Sequence, residues 1–544
     1  MPPVVRPIKR ILHGGKMYKQ GRMGYFVHLK QLFKSAILVF SGKTADLTVE
    51  SCTNDPTEVG QDGAYFAVAP IRPHFSEIDD ESQAGWSDDE LRQAIQLAVK
   101  NGCKVVIADR VVEGLAVPLL VVPYPEEAYG VCIHALWGDP GKSLTLIGVS
   151  GTYGKTTTSY LIAGMLAESG SPVGLIGTLG IFDGEKVYPS TQTTPPPDEL
   201  AYWLMRMVAN GCSHAIIEVS SQAIAESHLA GLQFDAMCLT NIRRNHLDYH
   251  GSVEAYRRTK LLAFRSLKKK GIAVCNADDR VTGAILPLID HPVLTVGARN
   301  PCEVSGMSID RNLGDQTFLI TAGNETVPLS TKMIGEENIY NCLTATALGI
   351  GLGIDLRVAV RGIERVKSVP GRLERIDCGQ PFGVFVDSAP TPESLAGSLR
   401  SLRKVVSGRL FCVLGIDEPL PNTIVNSDSL ESLCKTLKNW ADVSVLTADE
   451  LRSPSGTVDL TTAEKIVREL AGQHVQVIET RPEAIHWALS NAEPDDCVLI
   501  VGRGCTDFQR FLEVEDVNLC DRPFVKSWLY EANYELRMMN YELT

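Results

Sequence analysis

Apolar residues along this chain gather in short β-branched runs, with amphipathic stretches between them. The runs GAYFAVAP (63–70), CKVVIADR (103–110) and PLLVVP (118–123) predict strands. Between them DDELRQAIQLAVKNG (88–102) predicts a helix, with acids in its first turn and Gly102 just past its end. A second block opens with the strand SLTLIGVS (143–150). The helix TTTSYLIAGMLAESG (156–170) follows, with Leu161, Met165 and Leu166 on its apolar side, then the strands SPVGLIGTLG (171–180) and HAIIEVSS (214–221). A third block, from about Pro370, supplies the strands FGVFVDSA (382–389), RLFCVLGID (409–417), DVSVLTAD (442–449), VQVIET (475–480) and CVLIVGRG (497–504). They alternate with the helices PESLAGSLRSLRKVV (392–406), AEKIVRELAG (463–472) and RPEAIHWALSNA (481–492). Such alternation implies an α/β fold built on mostly parallel sheets covered on both faces.

A chain of 544 residues is too long for one ordinary core. The pattern divides it into an extension at 1–24 and domains at 25–142, 143–369 and 370–544. The third domain is Rossmann-like in order but lacks a strand-loop-helix GxGxxG, so a dinucleotide role has no support; Gly351–Gly353 reads as a helix end.

Charge narrows the partners. The formal net charge is -13, which argues against broad nucleic-acid or anionic-membrane binding. No apolar run approaches the roughly 18–20 residues of a membrane helix, so no stable membrane insertion is expected. The first 24 residues carry six Lys/Arg and no acid, without the apolar stretch of a secretory signal. The 14 cysteines are scattered with no CxxC pair, which suits reduced thiols and a cytoplasmic location; a monomer is expected.

The chemistry is concentrated at the start of the second block. A strand, then Gly151-Thr152-Tyr153-Gly154-Lys155-Thr156-Thr157, then a helix is the context of a phosphate loop. Glycines let the backbone wrap an anion, Lys155 reaches the β and γ phosphates, and the Thr156 hydroxyl can ligate Mg²⁺. Val149 stands where the first glycine of the common loop would be, so this is a shorter GTxGKTT variant. Glu218 ends a buried strand, well placed to hold Mg²⁺ beside such a loop.

GTxGKTT resembles the loop of the Mur ligases, ATP-dependent amide ligases of peptidoglycan synthesis, and within them the tripeptide-synthetase branch. The resemblance runs from about residue 44 to near 524. It implies three domains: an N-terminal α/β domain for the UDP end of the substrate, a central P-loop ATPase domain, and a C-terminal Rossmann-like domain for the amino acid. TNIRRNHLDYHGSVEAYRRTK (240–260) is similar to the family's TN-x-x-x-DHLDYHG segment. The resemblance makes His246 the ligand of a second Mg²⁺ and Lys260 a carbamylated lysine that places the metals. Asn245 stands where the family has aspartate. Asn276, Asp278 and Asp279 match a family segment or form a plain polar turn. Asn338 and Asn341, three apart on one helical face, would lie by ATP, as would Arg372 of PGRLERI and Asp387; Ser388 and Pro390 replace the family's tyrosine and histidine after that aspartate.

On the substrate side, the resemblance points to Ser51, Thr193, Thr194, Ser220, Ser221 and His228. Cys52 and His228 stand where the family shows arginines, and a neutral imidazole is a weaker carboxylate partner than a guanidinium. The diaminopimelate-type D-N-P-R motif corresponds to TADELRSP (447–454), which keeps Asp449 and Arg452; Arg452 either meets the amino acid's α-carboxylate or forms a surface ion pair. The family's G-K-G-H-E becomes Gly502-Arg503-Gly504-Cys505-Thr506. The implied reaction joins a free amino acid to UDP-N-acetylmuramoyl-L-alanyl-D-glutamate through an acyl phosphate, using ATP and two Mg²⁺ ions. A Mur-like ligase with another acceptor, or a nucleotide-binding paralogue without catalysis, remain the alternatives.

Overall fold

The computed structural model describes residues 26–35, 37–39, 47–69, 85–389, 391–416, 427–447, 460–502 and 521–542. The chain packs into two compact units: 1–155, 171–275 and 279–293 form the first, and 156–170, 276–278 and 294–544 the second. Arg452, Asp449 and the segment 503–506 lie outside the described residues, as does the extension 1–24.

In the first unit, a five-stranded sheet runs in the order Ile37–Val39, Leu119–Val121, Val105–Ala108, Ala64–Phe66, Cys52–Thr53, parallel except for its first strand. The period of two explains how VVIA is buried on both faces. Val105 and Ile107 meet Tyr129, Cys132 and Ile133 of helix Pro125–Leu136, while Val106 and Ala108 meet Leu91, Ile95 and Ala98 of helix Asp88–Lys100. The latter helix starts where its acidic first turn suggested, and Ser87 and Glu90 close a capping box there.

The same unit holds a second run of strands, in the order Val187–Tyr188, Gly180–Phe182, Val173–Gly177, His214–Val219, Thr145–Ser150, Phe234–Leu239, Leu267–Asn276. The last five are parallel; the first two turn back as an antiparallel hairpin that the sequence pattern left unread. Thr145–Ser150 lies between His214–Val219 and Phe234–Leu239, with Ser150 in register with both Val219 and Leu239. The three strands therefore end together, at the C-terminal edge where ligands of open α/β sheets bind.

The second unit carries an antiparallel meander of Val304–Arg311, Gln316–Ala322 and Glu325–Thr331, beside helices Glu336–Gly351 and Leu356–Arg365. Gly351–Gly353 is a helix end, with Gly353 at φ 83. Its six-stranded sheet runs Glu374–Arg375, Gly383–Asp387, Cys497–Val501, Leu410–Gly415, Val443–Thr447, His474–Val477, parallel beyond the first pair. Helix Pro392–Arg403 packs on one face through Leu395, Leu399 and Leu402. Helices Arg481–Ser490 and Asp521–Glu542 pack on the other through Ile485, Leu489, Val525 and Leu529. This is the doubly covered α/β class that the strand-helix alternation implied. Among the described residues no helix is long and apolar enough to cross a membrane, and all described cysteines are free thiols.

Candidate active site

The phosphate loop leaves the strand Thr145–Ser150 at Gly151, with φ 142, and enters helix Lys155–Glu168 after Gly154, with φ 85. Both values need glycine. A Cβ at Gly151 would also fall 1.9 Å from Thr240 Oγ1, so the loop packs directly on the segment that follows Phe234–Leu239. Asn241 holds it there: its carbonyl accepts the Thr152 N–H at 2.9 Å, its Oδ1 accepts the Tyr153 N–H at 3.1 Å, and its Nδ2 donates to the Tyr153 carbonyl at 3.0 Å. Thr152 spends its hydroxyl on the same scaffold, accepting the Arg243 N–H at 2.9 Å and sharing a 2.9 Å bond with the Tyr256 hydroxyl. Lys155 Nζ folds over the loop and donates to the carbonyls of Gly151 and Thr152 at 3.0 and 3.1 Å.

Lys260 comes to the same place from helix Val253–Leu262. Although its neighbours are Arg257 and Arg258, it is 1% exposed, and Nζ donates to Ser150 Oγ and the Gly151 carbonyl, each at 3.2 Å. Burial, and then the Lys155 charge, hold its amine well below the usual lysine range. Tyr256, one helical turn earlier, lies under it: Nζ is 5.7 Å from the ring centroid, and the His246 ring is 6.4 Å from the same ring. His246 is exposed, in left-handed backbone at φ 51, and opens helix Leu247–His250. The structure therefore gathers Lys155, Lys260 and His246 around Tyr256 and the loop. Tyr256 and Asn241 were missed by the sequence reading, although the i, i+4 spacing of Tyr256 and Lys260 would have revealed the former.

Glu218 is fully buried at the end of His214–Val219. It accepts the Thr178 N–H at 3.3 Å and the Thr178 hydroxyl at 3.0 Å. A Cβ on Gly177 would lie 2.1 Å from Glu218 Oε1, so the carboxylate occupies a cradle that only glycine leaves open. Among the described residues there is no cluster of three or more His, Cys, Asp or Glu side chains that could hold a metal. Single hard ligands such as Glu218 do fit Mg²⁺, which keeps waters and substrate phosphates in its shell.

The residues expected on the substrate side lie in the same unit. Thr193 shares a 3.1 Å bond with Thr178, which links it to Glu218. Thr194 is buried, and its hydroxyl donates to the Glu218 carbonyl at 2.6 Å and accepts the Ser220 N–H at 3.0 Å. Ser220 caps helix Ser221–Ala225, and Ser221 is buried in its first turn. His228 Nδ1 lies 3.1 Å from the Thr194 carbonyl. Ser51 sits apart, between Thr48–Val49, which pairs with Val27–His28, and Cys52–Thr53 at the edge of the five-stranded sheet, where Gly63 makes room for its hydroxyl.

In the second unit, Thr156 and Thr157 are buried at the start of the loop helix. The Thr158 hydroxyl donates to Asn341 Oδ1 at 3.2 Å, Asn341 Nδ2 to Asn338 Oδ1 at 3.0 Å, and Asn338 Nδ2 to the Ile334 carbonyl at 2.8 Å. Both asparagines thus brace the helix pair. Arg372 bonds the Ser388 hydroxyl, and its buried Nε–H has no hydrogen-bond partner among the described residues. Asp387 accepts the Leu373 N–H at 3.1 Å and the Ser398 hydroxyl; burial pushes its carboxyl up. Asp278 accepts the N–H groups of Ala298, Arg299 and Asn300 and the Tyr340 hydroxyl, and so fixes a turn. Asn276 accepts the Asp278 N–H at 2.9 Å. In the first unit, Asp279 caps helix Arg280–Ile285 and pairs with Arg243 at 2.9 Å.

Two family models match: the Mur ligase middle domain over residues 149–349 and the Mur ligase, glutamate ligase domain over 371–504. A UDP-N-acetylmuramoyl-L-alanyl-D-glutamate--2,6-diaminopimelate ligase of Geobacillus thermodenitrificans (strain NG80-2) is 34% identical over 418 residues, covering 76% of this chain and 84% of the relative. A solved structure of a ligase of the same description superposes with a TM-score of 0.67 at 22% identity, over 94% of this chain and all (100%) of that one. MurF ligase from Thermotoga maritima in complex with ADP gives a TM-score of 0.56 at 17% identity, over 90% and 98% of the two chains. At these identities the structures speak for the fold.

Proposed function

The chain belongs to the Mur ligase family, and from that premise we propose that it joins a free amino acid to UDP-N-acetylmuramoyl-L-alanyl-D-glutamate as an ATP-dependent acid–amino-acid ligase of peptidoglycan precursor synthesis. The observation that carries this reading is the meeting of Lys155, Lys260 and His246 around the phosphate loop, where a plain ATPase has no use for the last two.

In the proposed reaction, a carboxylate oxygen of the acceptor attacks the γ-phosphorus of ATP and ADP leaves. The amine of the amino acid then attacks the acyl carbon, phosphate departs, a proton goes to solvent, and an amide remains. The loop around Gly151 and Gly154, the start of helix Lys155–Glu168 with Thr157, and Lys155 would bind the phosphates, while the Thr152 and Tyr153 N–H groups stay on Asn241 and hold the loop in shape. The unspent Nε–H of Arg372 suits a phosphate oxygen, and Asp387 would orient the nucleotide with Asn338 and Asn341. Magnesium, when bound, supplies charge stabilisation at the transferring group; Thr156, Glu218, His246 and Lys260 are the residues that would hold two ions. The lowered basicity of Lys260 supports its modification. Its neutral Nζ can add to CO₂, forming an N–C bond and a carbamate anion as one proton leaves for solvent. Thr193, Thr194, Ser220, Ser221 and His228 would face the sugar-peptide, and Ser51 the UDP end. Domains at 25–142, 143–369 and 370–544 would divide these tasks.

Phosphate release should require both the nucleotide-sugar dipeptide and an amino acid, and a screen of amino acids should identify the substrate. Release that proceeds equally without either would overturn the reading.

A further inference from the structure

Helix Ser221–Ala225 ends in an unusual turn. Ser227 adopts φ 57, its N–H bonds the Ile224 carbonyl at 3.2 Å, and the His228 N–H bonds the Ala223 carbonyl at 2.9 Å. This is a Schellman closure with serine where glycine is usual. It sets the side chains of Glu226 and His228 side by side, with His228 Nε2 3.1 Å from Glu226 Oε2.

The partners around this pair set which charge state suits it. Glu226 Oε1 accepts Gln222 Nε2 at 2.8 Å and the Tyr249 hydroxyl at 3.0 Å. These donors, with His228, hold its carboxyl below the usual range against the burial that raises it, so the group is ionised and cannot donate. On the other side of the ring, Nδ1 faces the Thr194 carbonyl at 3.1 Å, which also cannot donate. Acceptors thus stand at both ring nitrogens, and only a ring carrying two N–H groups serves both. Its surroundings agree: the other charged groups that face it are Asp198 and Glu199, in the first turn of helix Pro197–Ala209.

We infer that Glu226, half-buried, and His228, buried, form an ion pair in place of a free cation on the acceptor side, that it clamps the Thr193–Thr194 segment, and that acceptor affinity depends on the proton carried by His228. The word acceptor rests on the ligase reading above. Glu226 is then a positioning residue: it holds the His228 ring, through Nε2, with Nδ1 against the Thr194 carbonyl. Loss of the proton leaves either the Thr194 carbonyl or Glu226 Oε2 without its donor, and the segment that reaches Glu218 through Thr178 loosens.

Two readouts on the full chain test this. Nitrogen-15 spectra of the histidine rings, with His228→Gln for assignment, should show both His228 nitrogens protonated. Glu226→Gln should lower the protonated fraction at the same pH. In steady state, the acceptor KM of the wild type should rise about tenfold as the ring loses its proton, with kcat changing far less. His228→Arg should flatten that profile, and Glu226→Gln should hold KM high throughout. A neutral single tautomer in the wild type, or an acceptor KM that is flat with pH and equal in the wild type and Glu226→Gln, overturns the inference. If the nucleotide-sugar dipeptide stimulates nothing at any pH, the ligase reading and the acceptor half of the inference fall together, while the ring-nitrogen signals still decide the ion pair.

Discussion

Two buried bases show how single residues answer to their surroundings. Lys260 sits in a helix whose sequence, RRTK, reads as a solvated face, yet its amine is buried among Ser150, Gly151 and Tyr256. A group whose folded basicity lies below its unfolded value favours the folded state only where the unfolded group is neutral too, so this lysine costs stability at neutral pH. Lys260→Met is therefore expected to melt no lower than the wild type while ligation falls by more than about 100-fold, a split readable from a melting curve and a phosphate assay. Retained activity would remove Lys260 from the chemistry. His134, on helix Pro125–Leu136, is the second case. It is 1% exposed, neither ring nitrogen has a hydrogen-bond partner among the described residues, and burial pulls it down to about 4, partly offset by Asp139. The folded value lies below the unfolded one, so its stabilising contribution is complete above about pH 6.5 and is lost as pH falls towards 4. Unfolding free energies from urea titrations at pH 7 and pH 5 should differ by about 2 kcal/mol more in the wild type than in His134→Phe. An equal acid loss in the two would show that other groups carry it.

Element boundaries are where glycine and its absence set the geometry. Ser227 occupies a position glycine fills more cheaply; Ser227→Gly should raise stability by about 1 kcal/mol in urea titration, and an unchanged midpoint would mean the Schellman turn is unstrained. Gly177 is the opposite case. Its strand is regular, but any Cβ would collide with Glu218, so Gly177→Ala should displace the carboxylate and raise the Mg²⁺ concentration needed for half-maximal activity about tenfold. An unshifted Mg²⁺ requirement would take Glu218 out of the metal role. The phosphate loop was legible because strand, glycines, lysine and helix are consecutive. The antiparallel meander was not read, although Glu325–Thr331 alternates exposed and buried positions as a half-buried strand should; its polar side chains concealed the period. The Glu226–His228 pair could not be read, because it depends on a turn geometry and on Tyr249 from another helix.

Across the whole molecule, what the sequence concealed is mainly what distant segments do to one another. Ser150 bonds a carbonyl 69 residues away, and Lys260 reaches Ser150 across 110, separations that no local pattern records. The class of fold was legible because each strand and helix announces itself; the burial of Lys260 was not, because it follows from assembly. The second unit offers a clean measure of such a contact. Arg481, first residue of its helix, is 1% exposed and grips Asp521 through two bonds of 2.7 and 2.6 Å, while also donating to the Val501 carbonyl at 2.9 Å. The next residue, Gly502, bonds the Asp387 carbonyl at 3.2 Å, so the pair fastens helix Asp521–Glu542 to the end of a strand beside Asp387. Removing one partner leaves a buried charge uncompensated, and Asp521→Ala should cost about 3–5 kcal/mol in urea unfolding. Glu464→Gln, which breaks the exposed pair with Arg468, should cost under about 0.5 kcal/mol. Equal small effects from the two would mean that the C-terminal helix is held by Val525 and Leu529 alone, and that the ion pair sets its direction rather than its stability.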